Sequence, residues 1–476
     1  MDARSLLREL QSRGIRIYPE GSELRCRAPK GALTPDFASL IKENKEAILR
    51  SLQEDGGLVP QGAGMMTLVE GDCLKVLSRM PSNSVDAMVT DPPYGYEFMG
   101  KDWDKAVPGV EIWEETLRVL KPGGFAFVMC SPRQDVLSQM IINLAKAGFE
   151  TGFTSLYWTY ATGFAKAHNI GKAVAKKLGP EKAKDLDGSF AGFQPKPAVE
   201  VILVVMKPID KKTYTEQAIA DGKGLTWMDH CRIPYGPESP VIENRHRHDR
   251  SEGHVSNPAW SQKGGVVWTP EKQWKQDIQR QAHEKGRFPA NLLVSHDVID
   301  DGRNHPGGTF PKRRGKTEYF GLDQLESGYV GRLNDSGGYS RFFSLDAWAE
   351  RNLPFLIVPK ASKKEKEIGL EQTQSKTIKG RDSGQDERNN PFKLRTTPRK
   401  NTHPTVKPIK LMAYLITMGS REGDLILDPF CGSGTTCLAA HGLKRRSIGI
   451  EKEPEYIKIA SARMRDLILK DHFRKS

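Results

Sequence analysis

The tetrapeptide Asp91-Pro92-Pro93-Tyr94 closes an apolar run from Val85 to Thr90, a run with the length and composition of a buried strand. Two successive prolines fix the backbone beside the Asp91 carboxylate. That rigidity suits one chemical task. An exocyclic aromatic amine is a poor nucleophile because its lone pair is delocalised into the ring. If Asp91 and the Pro92 carbonyl both accept its hydrogens, the lone pair is aimed outward at an electrophilic carbon. Pro93 keeps the turn stiff, and Tyr94 offers a flat face to a base drawn out of its stack. The same four residues also fit a plain proline-rich turn in which Asp91 caps and Tyr94 packs.

A second constellation is Leu427-Asp428-Pro429-Phe430-Cys431-Gly432-Ser433-Gly434-Thr435-Thr436. It too follows a strand-like run, and it opens a helix expected over Thr435 to His441. Gly432 and Gly434 allow a ligand to approach the backbone closely. Glu451 stands at the end of the next strand, where a carboxylate can accept from both hydroxyls of a ribose. Strand, Gly-x-Gly, helix, strand and acid together indicate an adenosine-containing ligand. The dinucleotide pattern GxGxxG is absent, and so is the phosphate-binding pattern GxxxxGK[ST].

The elements around these motifs alternate as in an α/β domain. Val85 to Thr90, Phe125 to Cys130, Val199 to Met206, Phe355 to Val358, Leu425 to Leu427 and Ser447 to Ile450 are short apolar runs suited to buried parallel strands. Residues 1–54 read as a separate small α+β unit in the order helix, strand, strand, helix. Its first helix runs from Ala3 to Ser12, its strands cover Ile15 to Tyr18 and Glu23 to Arg27, and Thr34-Pro35-Asp36 supplies the cap, N1 and acidic first turn of the last helix. A glycine-rich linker occupies 55–65. The expected division then runs 66–209 for a catalytic half, 210–352 for a polar insert, 353–402 for a strand and charged loop, and 403–476 for a cofactor-binding half.

The 476 residues carry a formal charge of +13, with a pI near 9.3. Such a balance favours a polyanionic partner. Two basic clusters lie in the polar insert: Arg245, Arg247 and Arg250, then Lys312, Arg313 and Arg314. They can bind phosphates or enter a groove, or remain solvated surface charge. Six cysteines without CxxC pairing suit reduced thiols, so the reading includes no structural metal. The N-terminus lacks a signal-peptide pattern, and no run approaches the roughly 18 apolar residues of a membrane span. A cytoplasmic protein with no membrane partner is expected.

Taken together these residues resemble the DNA amino-methyltransferase family, in the subgroup where the catalytic motif precedes the cofactor motif. The resemblance extends to LVEGDCLKVLSRMPSNSVDAMVTDPPYG, to GKDWD and LRVLKPGG, to QPKPAVEVILVVMKP and to HPTVKP, and spans about residues 66 to 465. It implies a Rossmann-like S-adenosylmethionine-dependent methyltransferase domain with an inserted target-recognition region, acting on double-stranded DNA. By position, Asp91, Pro92, Pro93 and Tyr94 would act on the target base. Asp72 would touch the cofactor adenine, Asp428, Phe430, Gly432 and Gly434 would surround its methionine part, and Ser433 and Thr435 would also belong to the cofactor site. Glu451 would hold the ribose, and Thr405 and Lys407 would contact the carboxylate. His403 is expected to be a structural hydrogen-bond partner. Asp at the first motif position favours adenine N6; the alternatives are cytosine N4 or a catalytically idle DNA-binding or docking protein. Residues 1–54, through RAPKGALTPDF and KENKEAIL, resemble docking domains at the N-termini of polyketide and peptide synthetase subunits, which implies a protein partner.

Overall fold

A computed structural model describes residues 15–20, 23–29, 32–48, 65–95, 105–160, 167–193, 198–235, 286–295, 299–300, 305–306, 336–353 and 400–474, with single positions or pairs at 6, 9–10, 195, 366–367, 370 and 375. The expected strand Phe355 to Val358, residues 55–64 of the linker and both basic clusters lie outside these residues.

Near the N-terminus, β1 (Arg16–Glu20) and β2 (Glu23–Arg27) form an antiparallel hairpin. Helix α1 (Pro35–Glu43) follows, its first turn capped by Thr34, whose Oγ1 accepts from Phe37 N at 3.4 Å. Helix α1 ends at Glu43 with Asn44 as its C-cap, and a further helical turn covers 45–48. Leu6, Leu10, Ile15, Ile17 and Ile48 bury one another in a small core.

The main body is built from β3 (Met66–Glu70), α2 (Cys73–Leu77), β4 (Ala87–Thr90), α3 (Val110–Val119), β5 (Phe125–Cys130), α4 (Gln134–Lys146), β6 (Leu156–Thr159), α5 (Ile170–Leu178), β7 (Val199–Met206), α6 (Tyr214–Asp221), β8 (Leu292–Val294), α7 (Leu345–Asn352), α8 (Ile409–Gly419), β9 (Leu425–Asp428), α9 (Thr435–Gly442), β10 (Arg446–Glu451) and α10 (Pro454–Arg474). Eight strands form one sheet in the order β3-β10-β9-β4-β5-β7-β6-β8. Every residue of β4, β5 and β9 is buried, as continuous apolar runs are when helices cover both faces.

One face carries a core in which Phe127, Ile202, Trp348 and Tyr414 meet; the other packs Trp113, Met140 and Leu144 against Met88, Val128 and Leu203. Helix α8 is buried along its whole length. Its apolar character all round leaves it no solvent face, and its one cation, Lys410, pairs with Asp346 of α7.

One expectation is corrected here. Strand β7 is antiparallel to both β5 and β6, not parallel. An apolar run buried on both faces carries no record of strand direction, so the sequence pattern could not separate the cases. Described residues of the segment expected as a polar insert, 210–352, take part in the main body. Strand β8 extends the sheet edge by pairing with β6, and Cys231, Ile233, Leu293 and Trp348 belong to the main core.

Segment 210–235 also braces the amino end of the sheet. The Asp86 carboxylate, 2% exposed, meets Lys121 at 2.6 Å and Lys223 at 2.8 Å and accepts from Leu425 N at 2.8 Å. Burial alone would raise the Asp86 pKa, but Lys223, the Leu425 N–H and Lys121 more than reverse this and hold it below the usual range.

Strands β4 and β9 are neighbours, paired at Ala87 with Ile426 and Met88 with Leu427. From β4 the sheet continues in one direction to β5, and from β9 in the other to β10. A crevice must therefore open beyond their carboxyl ends, which is where α/β sheets receive ligands. No helix among the described residues is long and apolar enough to cross a membrane.

Candidate active site

Both chemistry-bearing motifs leave the sheet at that crevice. Thr90, the last residue of β4, donates from Oγ1 to Asp428 Oδ1 at 2.7 Å, and Phe430 N donates to the same oxygen at 3.1 Å. One carboxylate thus fastens the two strand ends together. Burial pushes the Asp428 pKa up to about 6, although hydrogen bonds from Thr436, Thr90 and Phe430 oppose the rise.

Beyond β9 the chain turns through two left-handed glycines, Gly432 at φ 53° and Gly434 at φ 83°, positions an L side chain adopts only with strain. At Gly432 a Cβ would meet His403 Nε2 at 2.7 Å. At Gly434 it would meet the Ala460 Cβ of α10 at 3.0 Å. Ser433 and Thr435 are held from the same helix: Arg463 Nη1 donates to Ser433 O at 2.6 Å, Ser433 Oγ at 3.1 Å and Thr435 Oγ1 at 3.2 Å. Arg463 is fully buried, and sequence reasoning missed it because one arginine in an amphipathic helix reads as solvated.

Glu451, at the end of β10, accepts from Gly432 N at 2.7 Å and from Glu453 N at 2.8 Å. Burial raises its pKa against those two N–H bonds. Asp72 caps α2, accepting from Lys75 N at 3.3 Å. Phe430 packs on Trp113 with ring centroids 6.2 Å apart.

His403 accepts from Thr405 N at 3.4 Å through Nδ1 and stands edge-on to Tyr456 at 4.5 Å. Burial, with Lys407 and Arg463 nearby, lowers its pKa to about 3, so the ring is neutral.

The loop after β4 holds a tighter cluster. Lys407 Nζ donates to Asp91 Oδ2 at 2.5 Å and lies 3.4 Å from Glu200 Oε2. Tyr94 Oη donates to Asp91 Oδ1 at 2.6 Å and is 3.3 Å from Glu200 Oε2. The Lys407 ammonium also stands 5.6 Å from the Tyr94 ring centre. Burial alone would lower the Lys407 pKa, and Asp91 and Glu200 more than reverse it. The reading of Lys407 as a contact of the methionine carboxylate therefore meets a different arrangement: its ammonium is engaged by the two carboxylates. Glu200 is the residue that sequence reasoning did not single out, although an acid near the start of the apolar run AVEVILVV was the available signal.

A single cleft of about 760 Å³ gathers Asp72, Asp91, Pro92, Pro93, Tyr94, Glu200, Thr405, Lys407, Asp428, Phe430, Gly432, Ser433, Thr435 and Glu451 on its walls. Gly434 is not a wall residue and packs beneath, against Ala460 and Met464. Arg245, Arg247, Arg250, Lys312, Arg313 and Arg314 fall outside the described residues.

A family profile described as DNA methylase matches residues 85–462, and one described as the TubC N-terminal docking domain matches residues 4–54. The type II methyltransferase M2.DpnII of Streptococcus pneumoniae is 55% identical over 62 residues, 13% of this chain and 23% of that protein. M2.MboI of Moraxella bovis is 43% identical over 75 residues, 15% of this chain and 28% of that protein. The chain thus spans about a quarter of the length of these curated relatives. Among solved structures, the M1.HpyAVI complex with SAM is 16% identical at a TM-score of 0.34, covering 84% of this chain and 99% of that one. The cytosine-N4-specific PvuII DNA methyltransferase is 14% identical at a TM-score of 0.36, covering 85% and 89%.

Proposed function

Because this chain belongs to the DNA methylase family, we propose that it transfers a methyl group from S-adenosylmethionine to the exocyclic N6 amine of adenine in double-stranded DNA. The observation that carries the reading is the shared cleft. Asp91 at the end of β4 and the glycine turn after β9 open onto one space, so an amine and a methyl donor can be brought within bonding reach.

The donor half of the cleft fits an adenosine-bearing sulfonium. Gly432 lines the cleft with no side chain of its own, its Cβ direction already filled by the His403 ring, and Glu451 stands beside it with oxygen lone pairs left for ribose hydroxyls. The volume of about 760 Å³ suits a ligand of that size together with a base. When bound, S-adenosylmethionine supplies a methyl group on positively charged sulfur.

The chain's own residues do the rest. Asp91 and the Pro92 carbonyl accept the two amine hydrogens and direct the nitrogen lone pair along the line of attack. Tyr94 supports the extruded base, and its hydroxyl keeps the Asp91 carboxylate in place. Asp91, in place of a serine, supports adenine over cytosine N4.

Residues 4–54, with a core of their own, fit a docking module for a second protein. The reading puts the enzyme with the DNA it modifies in the cytoplasm. Incubating the protein with methyl-labelled S-adenosylmethionine and, in parallel, duplex DNA, RNA and total protein tests the reading. Label in DNA adenine is expected, and label confined to RNA or protein would overturn it.

A further inference from the structure

Methylation of an amine leaves a surplus proton, and the cluster around Asp91 contains more groups than holding the amine requires. The amine nitrogen uses its lone pair to bond the methyl carbon, and the methyl–sulfur bond breaks with its electron pair left on sulfur. One amine proton must then depart for the nitrogen to become neutral. Asp91 touches the amine and receives that proton first. It is a poor place for the proton to remain, because the Lys407 ammonium at 2.5 Å would then face a neutral acid in a buried setting.

Glu200 is placed differently. It is 3.4 Å from the same ammonium, a looser pairing than the 2.5 Å at Asp91. The Tyr94 hydroxyl stands between the two acids, 2.6 Å from Asp91 Oδ1 and 3.3 Å from Glu200 Oε2. We propose that Glu200 finally takes the proton released by the methylated amine, passed on from Asp91 through the hydroxyl of Tyr94. This step rests on the amine methylation proposed above.

The transfer balances without a charged tyrosine. Asp91 gives its proton to Tyr94 Oη while the hydroxyl's own proton moves to Glu200 Oε2. Asp91 regains its negative charge against Lys407, and Glu200 ends neutral. Before the reaction, two carboxylates and one ammonium leave the cluster with one net negative charge. That charge opposes the positive charge that moves from sulfur to nitrogen. Glu200 lines the cleft, which gives the proton a way out to solvent.

Burial, offset in part by Lys407 and reinforced by Asp91, raises the Glu200 pKa, the direction a proton acceptor needs. The groups facing it are Asp91 and Tyr94 from the loop after β4, Lys407 before α8, Tyr160 after β6 and Cys130 at the end of β5. Burial takes Tyr160 and Cys130 up to about 12, and Tyr94 well above its ordinary value. These three stay neutral through the working range, so an acid limb in the rate is assigned to Glu200.

The test is single-turnover methyl transfer to a preformed protein–duplex complex between about pH 5.5 and 8.5, run on wild type, Glu200→Gln and Glu200→Asp, with donor affinity measured by calorimetry. Wild type should lose rate as the pH falls. Glu200→Gln should be slower by about 10²-fold at the alkaline end, with its acid limb gone and donor affinity unchanged. Glu200→Asp should recover part of both rate and limb. A Glu200→Gln protein that keeps the wild-type rate, or is slow with the limb intact, overturns the proton-accepting role while methylation itself stands. A wild-type protein that transfers no methyl to DNA overturns the underlying reading, and this step with it.

Discussion

Replacing Gly432 by alanine probes the donor site with one methyl group. At φ 53° the backbone is left-handed, which costs an L residue about 1–2 kcal/mol. The added Cβ would also stand 2.7 Å from His403 Nε2, well inside contact distance. The ring cannot swing away freely, because Nδ1 accepts from Thr405 N and Tyr456 packs edge-on at 4.5 Å. Together the strain and the collision come to roughly 2–3 kcal/mol, and the turn relieves them by opening in the free protein. Binding must then close it again, so S-adenosylmethionine affinity should fall about 30- to 150-fold. Calorimetry with the donor, beside thermal unfolding of the same samples, separates this from a loss of fold. Adding His403→Ala should restore about tenfold by removing the collision and leaving the backbone strain. A Gly432→Ala protein that unfolds normally and binds the donor within threefold of wild type would refute the placement of the donor at this turn.

The Asp428 carboxyl, about 6 in the folded chain against an ordinary 3.8, favours the fold when protonated. Its contribution is full below about pH 4 and is lost as the pH rises through 6, about 3 kcal/mol in all. Asp428→Asn should therefore be more stable than wild type in urea at pH 7.5, with the gap closing as the pH falls toward 4; a gap independent of pH would contradict the assignment. Asp86→Ala should destabilise by about 3–5 kcal/mol, because Lys223 is left buried facing only Asp424 at 3.2 Å. An unfolding free energy from urea titration lowered by less than about 1 kcal/mol would show that the brace matters little. Arg463→Met should weaken donor binding, since the guanidinium holds the Ser433 carbonyl of the glycine turn; equal affinity in calorimetry would rule that out.

Both motifs were legible because each is local. Asp91-Pro92-Pro93-Tyr94 and the Gly432 to Gly434 turn fix their own backbone, and the apolar runs before them point to strand ends. The adjacency of β4 and β9 follows only from pairing across more than three hundred residues, which no local pattern records. Glu200 and Lys407 illustrate the same limit. Each reads alone as an ordinary charge, and their meaning arises when β7 and the segment before α8 bring them to Asp91. Strand β8 has three residues, too short for a periodic signal, and is held through its partner β6 and through the bridge from Val294 to Ser344.

Base-resolved sequencing of DNA from cells expressing either the wild-type chain or Asp91→Asn tests the account most directly. Asparagine preserves the shape of Asp91 while removing its charge. N6-methyladenine at a defined sequence with the wild type, and none above background with a variant that still binds S-adenosylmethionine, is the predicted result. Equal adenine methylation from both proteins, or modification of a base other than adenine, would contradict it.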